Sequence, residues 1–158
     1  MGKYVFSIIL GLMFAFPVSA QSGDLVVEFE QNPLFQKLNM LPGEEAEGSA
    51  RVRNNSNEEK NGALEAIQVS DPDGLGEQMR IRVRANEEEL YTALMSEFFT
   101  APDIVLSRLG KNGGEILYEI SIEFLSGAGD AFQGKSLGFD LAVGFQGEQG
   151  VPSGGGSL

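Results

Sequence analysis

The chain has no cysteine, no histidine and no tryptophan among its 158 residues. Without cysteine there is no disulfide, so a folded domain must hold together by burial and by assembly. Without histidine or cysteine, Ser-His-Asp and Cys-His catalysis are excluded, and so is the usual zinc site. An acid–base enzyme would have to run on carboxylates alone, and no spacing of Asp and Glu singles out a pair. Positive charge is also scarce: 11 Lys and Arg stand against 23 Asp and Glu, a formal charge of −12. A chain this acidic repels nucleic acid and anionic lipid. We therefore expect no nucleotide, nucleic-acid, cofactor or dedicated metal site.

Long apolar runs are absent except at the start. MGKYVFSIILGLMFAFPVSA, residues 1–20, has a positive Lys3, an apolar run from Val5 to Phe16, a breaking Pro17, and small residues at Ser19 and Ala20. This pattern predicts a secretory signal peptide cut after Ala20. The competing reading is a membrane anchor, for which the run is shorter than the roughly 20 residues a span requires. Residues 21–147 then form one domain, and EQGVPSGGGSL reads as a Gly/Ser-rich flexible tail over 148–158.

Within the domain, side-chain character mostly alternates with a period of two. Leu25, Val27 and Phe29 alternate with Val26, Glu28 and Glu30. Met79, Ile81 and Val83 alternate with Arg80, Arg82 and Arg84. Tyr118, Ile120, Ile122 and Phe124 alternate with Glu119, Ser121 and Glu123. Such alternation marks strands with one buried face. Turn signals at Pro42-Gly43, DPDG (71–74), KNGG (111–114) and SGAGD (126–130) separate them. Asn86 as an N-cap, Glu89 three residues on, and Leu90, Leu94 and Phe98 at helical spacing predict one amphipathic helix over 87–99. The sum is an all-β fold: about seven strands in two antiparallel sheets packed face to face, with one short amphipathic helix. The three arginines on one strand face read either as an anion stripe or as a solvated face paired across the sheet with acid; we favour the second. Asp71 and Asp73 read mainly as a turn, without the longer loop of a calcium site. Asn54-Asn55-Ser56 is an N-glycosylation acceptor pattern, which makes Asn54 a candidate modification site.

One motif points elsewhere. Gly129, Gly134, Lys135 and Ser136 match the phosphate-loop pattern G-x-x-x-x-G-K-[ST]. That motif works only if a helix starts at its Lys-Ser end, so that loop amides and the helix N-terminus cradle phosphates. After Ser136 the sequence is LGFDLAVGF, again with period two and with two glycines that weaken a helix by roughly 1 kcal/mol each. We expect a strand there and no nucleotide.

The order of the pieces resembles the TasA/camelysin family of secreted proteins and the related archaeal bundling-pilus subunits. A leader is followed closely by an apolar strand. LNMLPGEEAEGSARVRNNS (38–56), IVLSRLGKNGGEILYEISIEF (104–124) and DAFQGKSLGFDLAVGFQGEQ (130–149) come next in that order. The resemblance spans roughly Leu25 to Gln149 and implies a jelly-roll sandwich at the cell surface. In fibre-forming members, the N-terminal strand of one subunit completes a sheet of the next. Here the donor would be residues 23–30, with Leu25, Val26, Val27 and Phe29 at the subunit interface and a homo-oligomeric filament as the product. An ordinary first strand, paired within its own chain, is the competing reading. The metallopeptidase label of some family members is not carried over, since no His-Glu-x-x-His exists here. The alternatives to a filament subunit are a monomeric surface-display module tethered by its tail and, third, a carboxylate-based hydrolase.

Overall fold

The computed structural model describes residues 19–35, 37, 40–132, 134–153 and 156–157, the backbone alone at 19–22 and 156–157. The signal peptide expected over 1–20 therefore lies, up to residue 18, outside the described residues. Among the described residues no helix is long and apolar enough to cross a membrane.

Among the described residues two antiparallel sheets are built from eleven strand segments, against the seven or so expected. One sheet contains β1 (Ser19–Ser22), β2 (Leu25–Phe29), β3 (Glu45–Asn54), β5 (Met79–Ala85), β6 (Glu88–Leu94) and β8 (Gly114–Phe124), in the spatial order β1-β2-β3-β8-β5-β6. The other contains β4 (Lys60–Ser70), β7 (Ile104–Leu109), β9 (Gly138–Phe145), β10 (Val151–Pro152) and β11 (Gly156–Ser157), in the order β10-β9-β4-β7, with β11 also on β9. The chain crosses between the sheets after β3, β4, β6, β7 and β8, which gives the jelly-roll-like sandwich its interleaved connectivity.

The core lies where the period-two pattern puts it. Leu25, Val27, Ala50, Val52, Ile81, Val83, Tyr118, Ile120 and Ile122 project from one sheet; Leu64, Leu109, Phe139, Leu141, Val143 and Phe145 from the other. All are buried, and burial on this scale is the main stabilising term in a chain with no cross-links. Two glycines fit the backbone to this core. A Cβ on Gly62 would stand 2.6 Å from the Tyr118 hydroxyl, and one on Gly48 would stand 2.6 Å from Leu34 Cδ1. Leu34 thereby fills the space over β3 that a larger residue would occupy.

The helix expected over 87–99 is replaced by strand and a single helical turn. Residues 88–94 are β6, paired with β5, and only Met95–Phe98 is helical (α1), with Met95 and Phe98 buried. Asn86 is not a cap: Asn86 (φ 51°) and Glu87 (φ 67°) are both left-handed, the signature of a two-residue hairpin turn. The register slips between Val83/Tyr91 and Arg84/Glu89, so Leu90 is an extra residue in the ladder.

The flexible tail expected over 148–158 is also corrected in part. Val151 pairs with Val143 and Pro152 with Ala142, while Gly156 and Ser157 pair with Phe139 and Gly138. Val151 and Ser153 are buried. The backbone amide of Ser153 donates to the Leu141 carbonyl (2.8 Å), and the Leu141 amide donates to Ser153 Oγ (3.2 Å). A hairpin after Phe145 returns the chain along the edge of β9.

Candidate functional site

The expected interface strand is β2. Its five residues pair one to one with β3, from Leu25 opposite Asn54 to Phe29 opposite Ala50. The ladder extends past both ends: Asn55 N–H donates to the Asp24 carbonyl (2.7 Å) and Glu30 N–H to that of Ser49 (3.0 Å). Leu25, Val27 and Phe29 point into the core, Val26 is half-buried on the opposite face, and Glu28 is exposed. As folded, the ribbon is thus paired within its own chain. Its other edge is covered by β1, with Ser19 opposite Glu28, Ala20 opposite Val27, Gln21 opposite Val26 and Ser22 opposite Leu25.

Glu30, Gln31 and Asn32 after β2 are exposed. The chain is pinned again at Leu34 and Phe35, both buried, with the Phe35 ring 6.2 Å from that of Phe139. The Gln31 side chain donates to the Leu34 carbonyl (2.7 Å) and closes this connection. Residues 30–33 connect the paired strand to the buried Leu34 and Phe35.

Outside the core, the face of this sheet is an acid–base lattice. Arg51 and Arg53 both grip Glu115 at 2.7 Å, Arg80 lies 3.3 Å from Glu123, and Arg82 lies 3.1 Å from Glu89 and 3.5 Å from Glu45. Arg80 and Arg82 of the arginine stripe are therefore paired with acid on a solvated face, while Arg84 donates to the Glu87 carbonyl (3.1 Å). Hydrogen bonds from Arg51 and then Arg53 hold the Glu115 carboxyl below its usual pKa.

Asn54 is not placed to carry a glycan. It is fully buried, and its side-chain amide donates to the carbonyls of Glu58 (2.7 Å) and Leu109 (3.5 Å). Its oxygen accepts from the backbone N–H (3.0 Å) and hydroxyl (2.7 Å) of Ser56. The acceptor pattern is a folded-in Asx turn that ties β3 to the following loop and to β7.

The phosphate-loop match has no helix after it: Asp130–Phe132 is a short 3-10 turn, and β9 begins at Gly138. Lys135 pairs with Asp73 at 2.8 Å. Asp71 caps the 3-10 turn at Leu75–Gln78 by accepting from the amides of Leu75 and Gly76 (2.7 and 2.9 Å). Among the described residues no group of three or more Asp and Glu is placed to hold a metal ion.

Two features escaped sequence reasoning. One is the C-terminal strap on β9, whose signal was Val151 after the glycine-flanked turn 146–150. The other is a cavity of about 430 Å³ at the Phe124 end of the sandwich, with Met40, Leu41, Leu75, Met79, Phe124 and Phe132 on its wall. It joins three loops far apart in sequence, so no local pattern announces it.

No family model and no curated protein matches the chain. Among solved structures it is similar to AvmM, described as catalysing macrocyclization in alchivemycin A biosynthesis (12% identity, 89% of this chain and 91% of that one, TM-score 0.43). It is also similar to the PapD-like domain 7 of human CEP192 (12% identity, 89% and 84%, TM-score 0.37). A third is a family 123 glycoside hydrolase from Clostridium perfringens (14% identity, TM-score 0.47), where 84% of this chain matches 27% of the hydrolase. These likenesses are those of one β-sandwich to others and carry no function across.

Proposed function

We propose that this chain is a structural subunit of an extracellular filament, assembling head to tail by exchange of the strand Leu25–Phe29. The observation that carries the reading is the joint at β2: three buried apolar side chains on a five-residue strand, attached through the exposed residues that follow Phe29. A cut after Ala20 removes Ser19 and Ala20, the partners of Glu28 and Val27 on the outer edge. The Val27–Phe29 half of the strand then lies on the rim of its sheet, while Gln21 and Ser22 still pair with Val26 and Leu25, and its unpaired backbone groups are ones a sister molecule can satisfy. An exchanged strand regains in the neighbour the contacts it left at home, so exchange costs little beyond the entropy of association. Such a contact is heterologous and does not close, so it propagates. The order of the sequence segments shared with secreted fibre-forming proteins supports the same reading.

Filaments in negative-stain micrographs of concentrated chain 21–158 are the expected result. Chain 31–158 is expected to form none, and to bind a free peptide of residues 23–30 in the vacated slot. Filaments from chain 31–158 equal to those of chain 21–158 would overturn the reading. The second reading is a monomeric surface module, favoured by the pairing of β2 within its own chain. A single monomer mass by light scattering at every concentration selects it.

A further inference from the structure

The last pair of β2 with β3 is Phe29 opposite Ala50, and one further bond runs from the Glu30 N–H to the Ser49 carbonyl (3.0 Å). The next core-facing position of β3 is Gly48, buried in the row Ala46, Gly48, Ala50, Val52. The chain leaves through the exposed Gln31 and Asn32 and returns, and the Leu34 side chain fills the place over Gly48. The fit depends on glycine: a Cβ on residue 48 would stand 2.6 Å from Leu34 Cδ1 and 2.8 Å from its Cγ. Leu34 is fully buried, Gln31 Nε2 donates to its carbonyl (2.7 Å), and the Phe35 ring packs by that of Phe139 on β9 (6.2 Å). Leu25, Val27, Phe29 and Leu34 all belong to one buried cluster.

Chain length decides how much of this cluster moves together. Phe29 is five residues from Leu34, a reach of at most about 18 Å. With Leu34 kept at home, β2 enters only a slot whose own Gly48 lies within about 25 Å, since Ala50 and Gly48 are two residues apart on β3. In an open head-to-tail series, equivalent points of successive subunits lie about one subunit width apart, roughly 35 Å for a compact chain of this size. Five residues fall short. If Leu34 and Phe35 leave too, the next backbone hydrogen bond to the sandwich among the described residues is from the Gly43 N–H to the Phe124 carbonyl (2.6 Å). The fourteen residues from Phe29 to Gly43 reach about 45–50 Å. Between them Lys37 meets the Glu45 carbonyl (3.0 Å) and the Glu44 carboxylate (3.6 Å) through an exposed side chain alone.

We propose that the exchanged segment is residues 25–35, a strand and a plug together: Leu34 of one copy enters the seat over Gly48 of a second copy, so that Gly48 sets which segment the slot accepts. The inference rests on the strand-exchange reading above and names what the slot recognises. A plug that only anchors its own chain keeps the seat filled during exchange. A donated plug leaves the seat open to the incoming copy.

The test offers three fluorescein-labelled peptides to dilute chain 21–158: residues 23–30, residues 23–35, and residues 23–35 with Leu34→Ala. Fluorescence anisotropy at equilibrium reads binding. Peptide 23–35 is expected to bind at least about tenfold more tightly than 23–30, and Leu34→Ala to remove most of that gain. Unlabelled peptides are expected to inhibit filament growth in the same order. Equal affinity of 23–30 and 23–35, or of 23–35 with and without Leu34, would overturn the plug and leave strand exchange standing. Failure of every peptide to bind, with a monomer at every concentration, removes both readings. The expected order of affinities in a chain that never forms filaments keeps the plug as an exchangeable segment and removes the filament. In folded Gly48→Ala the preference is expected to reverse, because the added methyl takes the space of Leu34 Cδ1. An unchanged preference there would overturn the seat. The peptide series on the unsubstituted chain decides the plug even if Gly48→Ala does not fold.

Discussion

At the scale of single residues, two buried polar groups set the behaviour of the fold. Asn54 satisfies four partners from inside the protein, so Asn54→Ala leaves the Ser56 amide and the Glu58 and Leu109 carbonyls short of partners. An unsatisfied buried group costs about 1–3 kcal/mol, and urea denaturation is expected to show a loss in that range. The Tyr118 phenol is the second. Burial pushes its pKa up to about 12 from an ordinary value of 10, and its O–H donates to the Ser107 carbonyl (3.4 Å). The neutral phenol is thus favoured in the folded state. Its contribution is fully present below pH 10 and is lost as pH rises toward 12, because there the unfolded chain has given up the proton and the folded chain has not. Thermal melts from pH 9 to 12 should show this fall in Tm. Tyr118→Phe should lower stability at pH 8 and flatten the alkaline fall.

At the scale of elements, what the sequence reveals depends on whether one period or two fit the same residues. β2, β5 and β8 are legible because each places large apolar side chains at alternate positions over mostly polar neighbours. β9 was legible too, and its reading as a strand removed the phosphate-loop interpretation. Residues 87–99 were not. Leu90, Leu94 and Phe98 fit a helix, yet Leu90 and Leu94 also sit an even number of residues apart, as a strand requires. Tertiary pairing with β5 decides the matter, and the turn residues that decide it locally, Asn86 and Glu87, carry no glycine to advertise a left-handed bend. The candidate joint is legible as an apolar ribbon; its neighbour β1 and the strap on β9 are not, since β1 overlaps the residues read as the end of the leader and Val151 is a lone large apolar residue among glycines. Asn54 misled because an acceptor pattern says nothing of burial. The turn itself is testable. A non-glycine residue in the left-handed region costs about 1–2 kcal/mol, and glycine recovers part of that at some cost in chain entropy. Glu87→Gly should raise the urea midpoint by an amount equivalent to about 1 kcal/mol or less, with the slope unchanged. A lower midpoint would mean that the Glu87 carbonyl, which accepts from Arg84 (3.1 Å), depends on the strained geometry.

At the scale of the whole molecule, charge opposes what the joint favours. Removing residues 1–20 takes away Lys3 and leaves ten basic against 23 acidic side chains, a charge of −13 on chain 21–158. The basic residues are largely spent on pairs within the subunit: Arg51, Arg53, Arg80, Arg82, Arg108, Lys60 and Lys135 each hold a carboxylate of their own chain. In the proposed filament, what one subunit presents to the next is therefore mostly excess negative charge. The gain from seating Leu25, Val27 and Phe29 is apolar and insensitive to dilute salt, whereas the repulsion between approaching subunits is screened over about 30 Å at 0.01 M and about 8 Å at 0.15 M ionic strength. Encounter, rather than the stability of the finished joint, should carry the salt dependence. Turbidity or light scattering of chain 21–158 should thus show a lag that shortens at least severalfold from 10 to 150 mM salt, while filaments already formed at 150 mM disassemble only slowly after dilution into 10 mM. A lag that lengthens with salt would mean that subunits meet through complementary charges, and that the lattice of Arg and Glu on the outer face opens to pair between molecules.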